Sequence, residues 1–217
     1  MLYVVPTPIG NLEDITFRAI KTLQNVDFII AENTRSSQKL LKRYDINTKL
    51  ISYHQHNEHK VVNKLVKEIA TKNAAIISDA GTPGISDAGF LLIKECIKNK
   101  IKVETLPGAT AFIPALINSG FACDRFYFHG FLPHKKGKQK ELEYLNSLKC
   151  TVIFYESPHR LLKTLEQMLT IFGKDRLISV SREITKIYEE TIRGTITEVI
   201  DYYKTNTVKG EFVVVVS

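Results

Sequence analysis

The chain has 217 residues, of which 44% are hydrophobic and 24% charged, and its 30 Lys and Arg residues exceed its 23 Asp and Glu residues for a formal net charge of +7. This composition excludes a disordered or collagen-like chain, and the length allows one or two domains of roughly 100–200 residues each. Three isolated cysteines without a CxxC pair offer neither a disulfide framework nor a thiolate zinc site, and they fit a reducing compartment.

Neither a membrane span nor a secretory signal is predicted. The uncharged run 105–123 is interrupted by two prolines and two glycines, which predicts a turn followed by a buried helix. The first six residues contain no basic leader before their apolar stretch. We therefore expect a soluble, cytoplasmic protein. The charge of +7 fits an anionic partner and a solvated basic surface equally well.

Short apolar runs alternate with amphipathic stretches along the first half of the chain. Strands are predicted at 2–5, 27–31, 49–53, 74–78 and 101–106, and helices at 17–26, 34–44, 59–72, 87–99 and from 109 onward. Strands separated by helices of about 10–15 residues indicate βαβ units and a mostly parallel sheet.

The pattern changes at residues 118–120, which we take as the domain boundary. Beyond it, strands are predicted at 126–128, 151–155, 177–182, 184–193 and 211–216, and helices at 137–148, 158–172 and 196–204. The strands at 184–193 and 211–216 are expected to be neighbours. The predicted fold class is therefore α/β, with two α/β domains at residues 1–118 and 119–217.

Five loops, taken to follow strands, are rich in Gly, Pro and small polar residues. They are residues 6–11, 78–87, 107–111, 155–160 and 209–211. Ligands of open α/β sheets bind beyond the carboxyl ends of strands, where glycine permits close backbone approach and proline fixes the loop. Each loop alone is also what a chain reversal requires, but the five together indicate a ligand site.

Several familiar nucleotide sites are excluded by the glycine spacing. The chain contains no GxG, so the dinucleotide fingerprint is absent, and no GxxxxGK[ST], so a P-loop is absent. The glycine-rich first loop of the common methyltransferase fold is absent for the same reason.

Motifs that resemble one known family run from the first predicted strand to the last. They are VVPTPIGNLEDIT (4–16), ENTR (32–35), HNE (56–58), SDAGTP (78–83), PG (107–108), DRF (124–126), GFLP (130–133), FYESPH (154–159), RE (182–183) and RGT (193–195). With them the chain resembles the tetrapyrrole-methylase (class III) methyltransferases that use S-adenosylmethionine. Within that superfamily it is similar to the ribosomal RNA small-subunit methyltransferase I family, which methylates a cytidine 2′-hydroxyl.

Three features depart from the family pattern. Asn33 stands where the family usually has Asp, which removes a carboxylate from a candidate substrate motif. Ala109 and Thr110 replace the commoner Pro-Ser and still offer a hydroxyl. The sequence ends at Ser217, whereas many members have a further helical C-terminal region, so we expect a short form.

The resemblance implies two tetrapyrrole-methylase-type domains, a cofactor cleft between them, a substrate side on the first domain, and a homodimer. By motif matching, S-adenosylmethionine is expected to contact Pro8, Asp79, Ala80, Gly81, Pro83, Ile85, Ser86, Thr110, Ala111, Tyr155, Ser181, Gly210 and Glu211.

Methyl transfer to an alcohol is an in-line displacement, and the weak nucleophile is expected to need a base or an ordered water. The candidates are Glu32, His56 and Glu58, with Arg35 placed to bind a phosphate or orient a carboxylate. The alternative for Glu32 and Arg35 is a structural ion pair. Three histidines within residues 54–59 suggest a metal site as a rival, but no cysteine or second cluster supports it, and no metal is expected.

The expected RNA-binding surface lies at residues 134–140, which contain four lysines and no acid. Its lysines are Lys135, Lys136, Lys138 and Lys140, and Arg125 and Arg160 are expected to add to it. A solvated helix start is the alternative.

These expectations describe an S-adenosylmethionine-dependent 2′-O-ribose methyltransferase that acts on a decoding-region cytidine of 16S rRNA in the small ribosomal subunit. The alternatives are a methyltransferase of a corrinoid or other tetrapyrrole precursor, and a non-catalytic RNA-binding factor in ribosome assembly.

Overall fold

The computed structural model describes residues 1–54 and 56–217, which form two compact units, Met1–Thr110 and Ala111–Ser217. This division precedes the expected boundary at 118/119, because the helix Phe112–Ser119 packs against strands of the second unit. Residues 118–120 end that helix, and Gly120 caps it in the left-handed conformation. Their turn-forming composition therefore marks a helix C-terminus and not a domain boundary.

The first unit is a five-stranded parallel sheet with helices between its strands. Its elements are β1 (Leu2–Val4), α1 (Phe17–Asn25), β2 (Phe28–Ala31), α2 (Thr34–Arg43), β3 (Leu50–Ser52), α3 (Glu58–Ile69), β4 (Ala74–Ile77), α4 (Phe90–Lys98) and β5 (Val103–Thr105). The strand order is β3-β2-β4-β1-β5 and every pair is parallel, which confirms the predicted βαβ architecture.

Helices cover both faces of this sheet. Every residue of β2 and β4 is buried, as expected for central strands of a parallel sheet, which read as continuous apolar runs. Alternate residues point into two separate cores: Phe28 and Ile30 pack with α3 and α4, whereas Ile29 and Ala31 pack with α1 and α2.

The second unit is a mixed sheet. Its elements are α5 (Phe112–Ser119), β6 (Phe126–Phe131), α6 (Lys138–Ser147), β7 (Thr151–Glu156), α7 (Leu161–Phe172), β8 (Leu177–Arg182), β9 (Glu190–Thr195), α8 (Ile196–Thr205) and β10 (Phe212–Val216). The strand order is β6-β7-β10-β8-β9, with only β6 and β7 parallel. The expectation that 184–193 and 211–216 are neighbours is therefore wrong, because β8 lies between β9 and β10.

The strand β10 is the centre of this unit and is buried along its whole length. Phe212, Val214 and Val216 point into the core beneath α6, α7 and α8, and the residues between them face the side on which α5 lies. Within residues 1–54 and 56–217, no helix is both long and apolar enough to cross a membrane. The uncharged run 105–123 folds as the predicted turn and helix, α5.

Candidate functional site

The carboxyl ends of all five strands of the first unit meet at one edge of its sheet, because the strands are parallel. Three adjacent strands, β4, β1 and β5, are followed there by the predicted loops 78–87, 6–11 and 107–111. Thr7 and Gly81 exchange two backbone hydrogen bonds of 2.9 Å, and the Thr82 hydroxyl donates to the Ala109 carbonyl at 3.3 Å. The three loops therefore form one connected surface.

Close packing of this surface depends on Gly108. A Cβ atom at this position would lie 2.6 Å from Cβ of Pro6, which is closer than such atoms approach. Ser86 in the neighbouring loop adopts a left-handed conformation with φ of 62°, which is strained for a residue with a side chain. Of the candidate cofactor residues here, Asp79, Ala80, Ile85 and Ser86 are exposed, whereas Pro8, Gly81 and Pro83 are buried.

Two carboxylates lie close together at this edge, on loops that follow the adjacent strands β2 and β4. Burial raises the pKa of Glu32 above its ordinary value, the negative charge of Asp79 raises it further, and His54 lowers it. The Ser36 hydroxyl donates to Oδ1 of Asp79 at 2.6 Å. In the part of the chain that the structure describes, neither Glu32 nor Asp79 forms an ion pair with Lys or Arg.

Asn33 is the N-terminal cap of α2. Its Oδ1 accepts hydrogen bonds from the backbone N–H groups of Arg35 and Ser36 at 3.0 and 3.4 Å. The Arg35 side chain is exposed. Among the described residues, Arg35 forms no ion pair with Glu32. The structure therefore does not support the alternative that these two residues serve as a structural ion pair.

The two other acid–base candidates lie at the start of α3. The carboxylate of Glu58 accepts a hydrogen bond from the buried Tyr53 hydroxyl at 3.2 Å, and burial raises the pKa of Tyr53. His56 is exposed, with its ring 5.9 Å from that of His54 in an edge-on arrangement. Throughout residues 1–54 and 56–217, no three His, Cys, Asp or Glu side chains are grouped so that they could hold a metal ion.

Four candidate cofactor residues of the second unit lie at one edge of its sheet, where β7 and β8 end and β10 begins: Tyr155, Ser181, Gly210 and Glu211. Tyr155 and Ser181 both pair with Val213, so the three side chains form a row across β7, β10 and β8 on one face. The Ser181 hydroxyl is buried and lies 3.0 Å from the Thr191 hydroxyl. Glu211, in the loop that precedes β10 and does not follow a strand, is exposed.

Ion pairs fix the turn that follows β8. The Lys186 ammonium lies 2.9 Å from the Glu183 carboxylate and 2.8 Å from that of Glu211. Burial opposes ionisation of Glu183, but hydrogen bonds from Lys186 and from the Glu211 N–H lower its pKa below the ordinary value. Gly210 is needed beside them, because a Cβ there would lie 2.5 Å from the Glu183 side chain.

Not all of the residues predicted to form the RNA-binding surface are exposed in the structure. Lys135, Lys136, Lys140 and Arg125 are exposed. Lys138 is not available to RNA: only 5% of it is exposed, and its ammonium lies 3.6 Å from the carboxylate of the buried Glu156.

Arg160 is also turned inward and not toward solvent. Its guanidinium donates to the carbonyls of Leu132 and Pro133 at 2.8 and 3.1 Å, and its Nε lies 3.1 Å from the Glu156 carboxylate. Sequence reasoning missed Glu156 as the centre of this cluster. Glu156 ends β7, whereas Lys138 begins α6 and Arg160 precedes α7, so no single helix or strand pattern brings the three together.

Comparison with known proteins first gives the class. Residues 1–200 match the family model described as Tetrapyrrole (Corrin/Porphyrin) Methylases. A crystal structure of diphthine synthase aligns with a TM-score of 0.78 at 12% identity, covering 99% of this chain and 88% of that one. Cobalt precorrin-4 methyltransferase aligns with a TM-score of 0.74 at 17% identity, covering 100% and 94%. The protein is thus an α/β protein of the tetrapyrrole methylase class.

Much closer relatives carry the name "Ribosomal RNA small subunit methyltransferase I". The chain is 50% identical to the one from Halalkalibacterium halodurans, with 99% of this chain and 75% of the relative aligned. It is 52% identical to that of Bacillus subtilis, over 100% of this chain and 74% of the relative. The chain belongs to the ribosomal RNA small subunit methyltransferase I family and spans about three quarters of the length of these relatives. The predicted methyltransferase class and its cofactor, S-adenosylmethionine, are confirmed by this membership.

Proposed function

We propose that the protein methylates the 2′-hydroxyl of a cytidine in the decoding region of 16S rRNA, within the small ribosomal subunit. The observation that carries this proposal is the identity of about half of all residues, over the full chain, with relatives named for methylation of small-subunit rRNA. The ordered motifs from residue 4 to residue 195 support the finer statement that the acceptor is a cytidine 2′-oxygen.

The residues at the two sheet edges fit S-adenosylmethionine. The loop 78–87 contains no Lys or Arg, and this cofactor has no phosphate that would require one. Exposed Asp79 offers a carboxylate without an ion-pair partner among the described residues, which suits a ligand with a cationic ammonium and sulfonium. We propose the first-unit contacts at Pro8, 79–81, Pro83, 85–86 and Thr110. Those of the second unit are Ala111, Tyr155, Ser181, Gly210 and Glu211.

The cofactor supplies an electrophilic methyl group: the 2′-oxygen forms a bond to the methyl carbon while the sulfur–carbon bond breaks and its electron pair stays on sulfur. The chain must position the hydroxyl and accept its proton. We favour Glu32 as the base, because it has no ion-pair partner in the described chain and its raised pKa makes it a better proton acceptor. Arg35 is exposed nearby for a phosphate; His56 remains a second candidate, and Glu58 a weaker one because it already binds Tyr53.

The exposed basic residues of the second unit are proposed to bind the RNA backbone. Replacing Lys135, Lys136 and Lys140 together with Ala removes three potential phosphate contacts, which we expect to reduce the salt dependence of subunit binding by about 2 in log–log slope. A matched control replaces Lys149, Lys174 and Lys204, which are exposed elsewhere in the same unit and carry the same total charge. An equal loss of slope in the control would reject this surface in favour of net charge alone.

The decisive experiment incubates the protein with methyl-labelled S-adenosylmethionine and small ribosomal subunits from cells that lack its gene. Label in a 2′-O-methylcytidine of the decoding region is the expected result. Cofactor binding without label in rRNA would point to another acceptor, such as a corrinoid precursor. Absence of both label and cofactor binding would favour a non-catalytic assembly factor.

A homodimer is proposed on the same resemblance. Ile113 and Ile117, one turn apart on α5, are 42% and 62% exposed and offer apolar surface for a second copy. Light scattering of the purified protein should give twice the chain mass of 24.7 kDa. A mass of one chain at micromolar concentration would reject the dimer.

A further inference from the structure

An aromatic side chain stands half in solvent at the end of β6. Phe131 is 54% exposed, and its ring lies 5.4 Å from that of Tyr155 in an edge-on arrangement. Tyr155 in turn contacts Phe128 at 5.1 Å, and Phe128 stacks on Phe112 at 4.5 Å. Phe131 is therefore the outermost ring of a packed aromatic row, with one side supported and the other open.

A β-bulge places the ring there. The pairing of β6 with β7 shifts between Phe128 and Gly130, so that His129 is an extra residue and Gly130 takes a positive φ of 75°. Without the bulge, alternation would turn Phe131 to the other face of the sheet, away from Phe128 and Tyr155. The backbone thus departs from regular pairing in a way that exposes an aromatic ring.

The segment that follows Phe131 is basic, and hydrogen bonds hold its first two residues. Arg160 clamps the carbonyls of Leu132 and Pro133, and Arg160 itself is held by the buried Glu156. The next residues, 134–136, are His, Lys and Lys, and all three are exposed. A supported aromatic ring is therefore followed within five residues by two exposed cationic side chains.

We propose that Phe131 is a stacking platform for an unpaired base of the RNA substrate, with Lys135 and Lys136 binding the adjoining phosphates. The inference rests on the proposed function and adds a substrate-binding residue to it. Proteins that recognise single-stranded RNA stack bases on exposed aromatic rings beside cationic groups, because every base has an aromatic face and every linkage a charge. A second copy of the chain is a poorer occupant, since it would bring these lysines against like charge.

The test compares four variants in kcat/KM for methylation of small ribosomal subunits that lack the modification. Phe131→Ala should lose roughly 5- to 150-fold, the range of base–aromatic stacking. Phe131→Tyr should retain the wild-type value within about threefold, and Phe131→Leu, which is apolar but has no ring, should resemble Phe131→Ala. The matched control is Phe126→Ala, which removes a 40% exposed ring from the opposite end of the same strand and should change kcat/KM by less than about threefold.

Binding of S-adenosylmethionine, measured by calorimetry, should be the same in all four variants and the wild type. Equal activity of Phe131→Leu and the wild type would overturn the proposal, because apolar bulk would then suffice. A change of oligomeric mass in Phe131→Ala would overturn it in favour of a contact between copies. These failures differ from failure of the proposed function, in which the wild type itself leaves the rRNA unlabelled.

Discussion

The two units treat the carboxylates at their sheet edges in opposite ways. In the first unit, Glu32 and Asp79 lie close together, and in the described chain neither is paired with Lys or Arg. In the second unit, Glu156, Glu183 and Glu190 each have a Lys or Arg partner within 3.1 Å. The carboxylates at the sheet edge are thus unpaired in the first unit and ion-paired in the second.

Burial explains the pairing of Glu156. Glu156 is 1% exposed, and a buried charge without a partner is too costly to keep, so Lys138 and Arg160 are drawn inward to it. Glu32 is only half-buried, so it can remain unpaired at the cost of a raised pKa. We infer that acid–base chemistry belongs to the first unit, whereas the carboxylates of the second unit stabilise the backbone that presents other residues.

Glu32→Gln is the most direct test of whether acid–base chemistry belongs to the first unit. We expect turnover to fall by about 10²- to 10⁴-fold, the usual contribution of a general base, with unchanged affinity for S-adenosylmethionine. Single-turnover methylation of subunits and calorimetry measure the two quantities. The control, Glu13→Gln, removes an exposed carboxylate from the same unit. Unchanged turnover in Glu32→Gln would eliminate it as the base and leave His56 and, more weakly, Glu58 as candidates.

Removal of a carboxylate from the second unit should lower stability, because the carboxylates of that unit are not expected to take part in proton transfer. Glu156→Ala leaves Lys138 and Arg160 without their shared partner and should lower the free energy of unfolding by about 3–5 kcal/mol. Chemical denaturation measures this loss, and Glu166→Ala, an exposed carboxylate on α7, is the control. A loss below about 1 kcal/mol would show that the cluster is not structurally important.

Local patterns predicted the elements well because hydrophobic periodicity is a local property. The strands 74–78 and 177–182 and the helices 34–44 and 158–172 all have counterparts in the structure. Sheet neighbours depend on long-range pairing, which is why β9 and β10 were wrongly expected to be adjacent. The boundary at 118–120 was misplaced because a helix C-terminus and a linker both use Asn, Ser and Gly.

The site was predictable to the extent that loop composition reveals it. The Gly- and Pro-rich loops after β1, β4 and β5 do meet at one edge, as parallel strands require. The prediction that Lys138 belongs to the RNA-binding surface overlooked its burial. Composition does not show which lysine is buried, and its partner Glu156 lies on another element. The proximity of Glu32 and Asp79 likewise depends on β2 lying beside β4, which no local pattern encodes.

A pH profile of turnover tests whether the two carboxylates of the first unit, Glu32 and Asp79, interact. If ionised Glu32 accepts the proton, kcat rises with pH through its pKa. The negative charge of Asp79 raises that pKa, so Asp79→Asn should lower it and move the acidic limb to lower pH. The measurement is kcat against pH at saturating cofactor, with Asp14→Asn, an exposed acid of the same unit, as the control. An acidic limb that stays in place, or moves to higher pH, would contradict the coupling.

The smallest effect is expected at Asn33, the neutral residue that caps α2 beside Glu32. Asn33→Ala removes the acceptor that caps α2 and should cost about 1 kcal/mol of unfolding free energy, whereas Gln38→Ala on the same helix should cost less than about 0.5 kcal/mol.

Asn33→Asp keeps the cap and adds a charge that the helix N-terminus favours by about 0.3–1 kcal/mol, but it places a further acid next to Glu32. We therefore expect Asn33→Asp to be as stable as the wild type in chemical denaturation at neutral pH, because the two effects oppose each other. A loss as large as that of Asn33→Ala would mean that repulsion among these acids outweighs the helix dipole. In that case a further carboxylate beside Glu32 and Asp79 would cost more stability than the helix N-terminus supplies, and the neutral side chain of Asn33 avoids that cost.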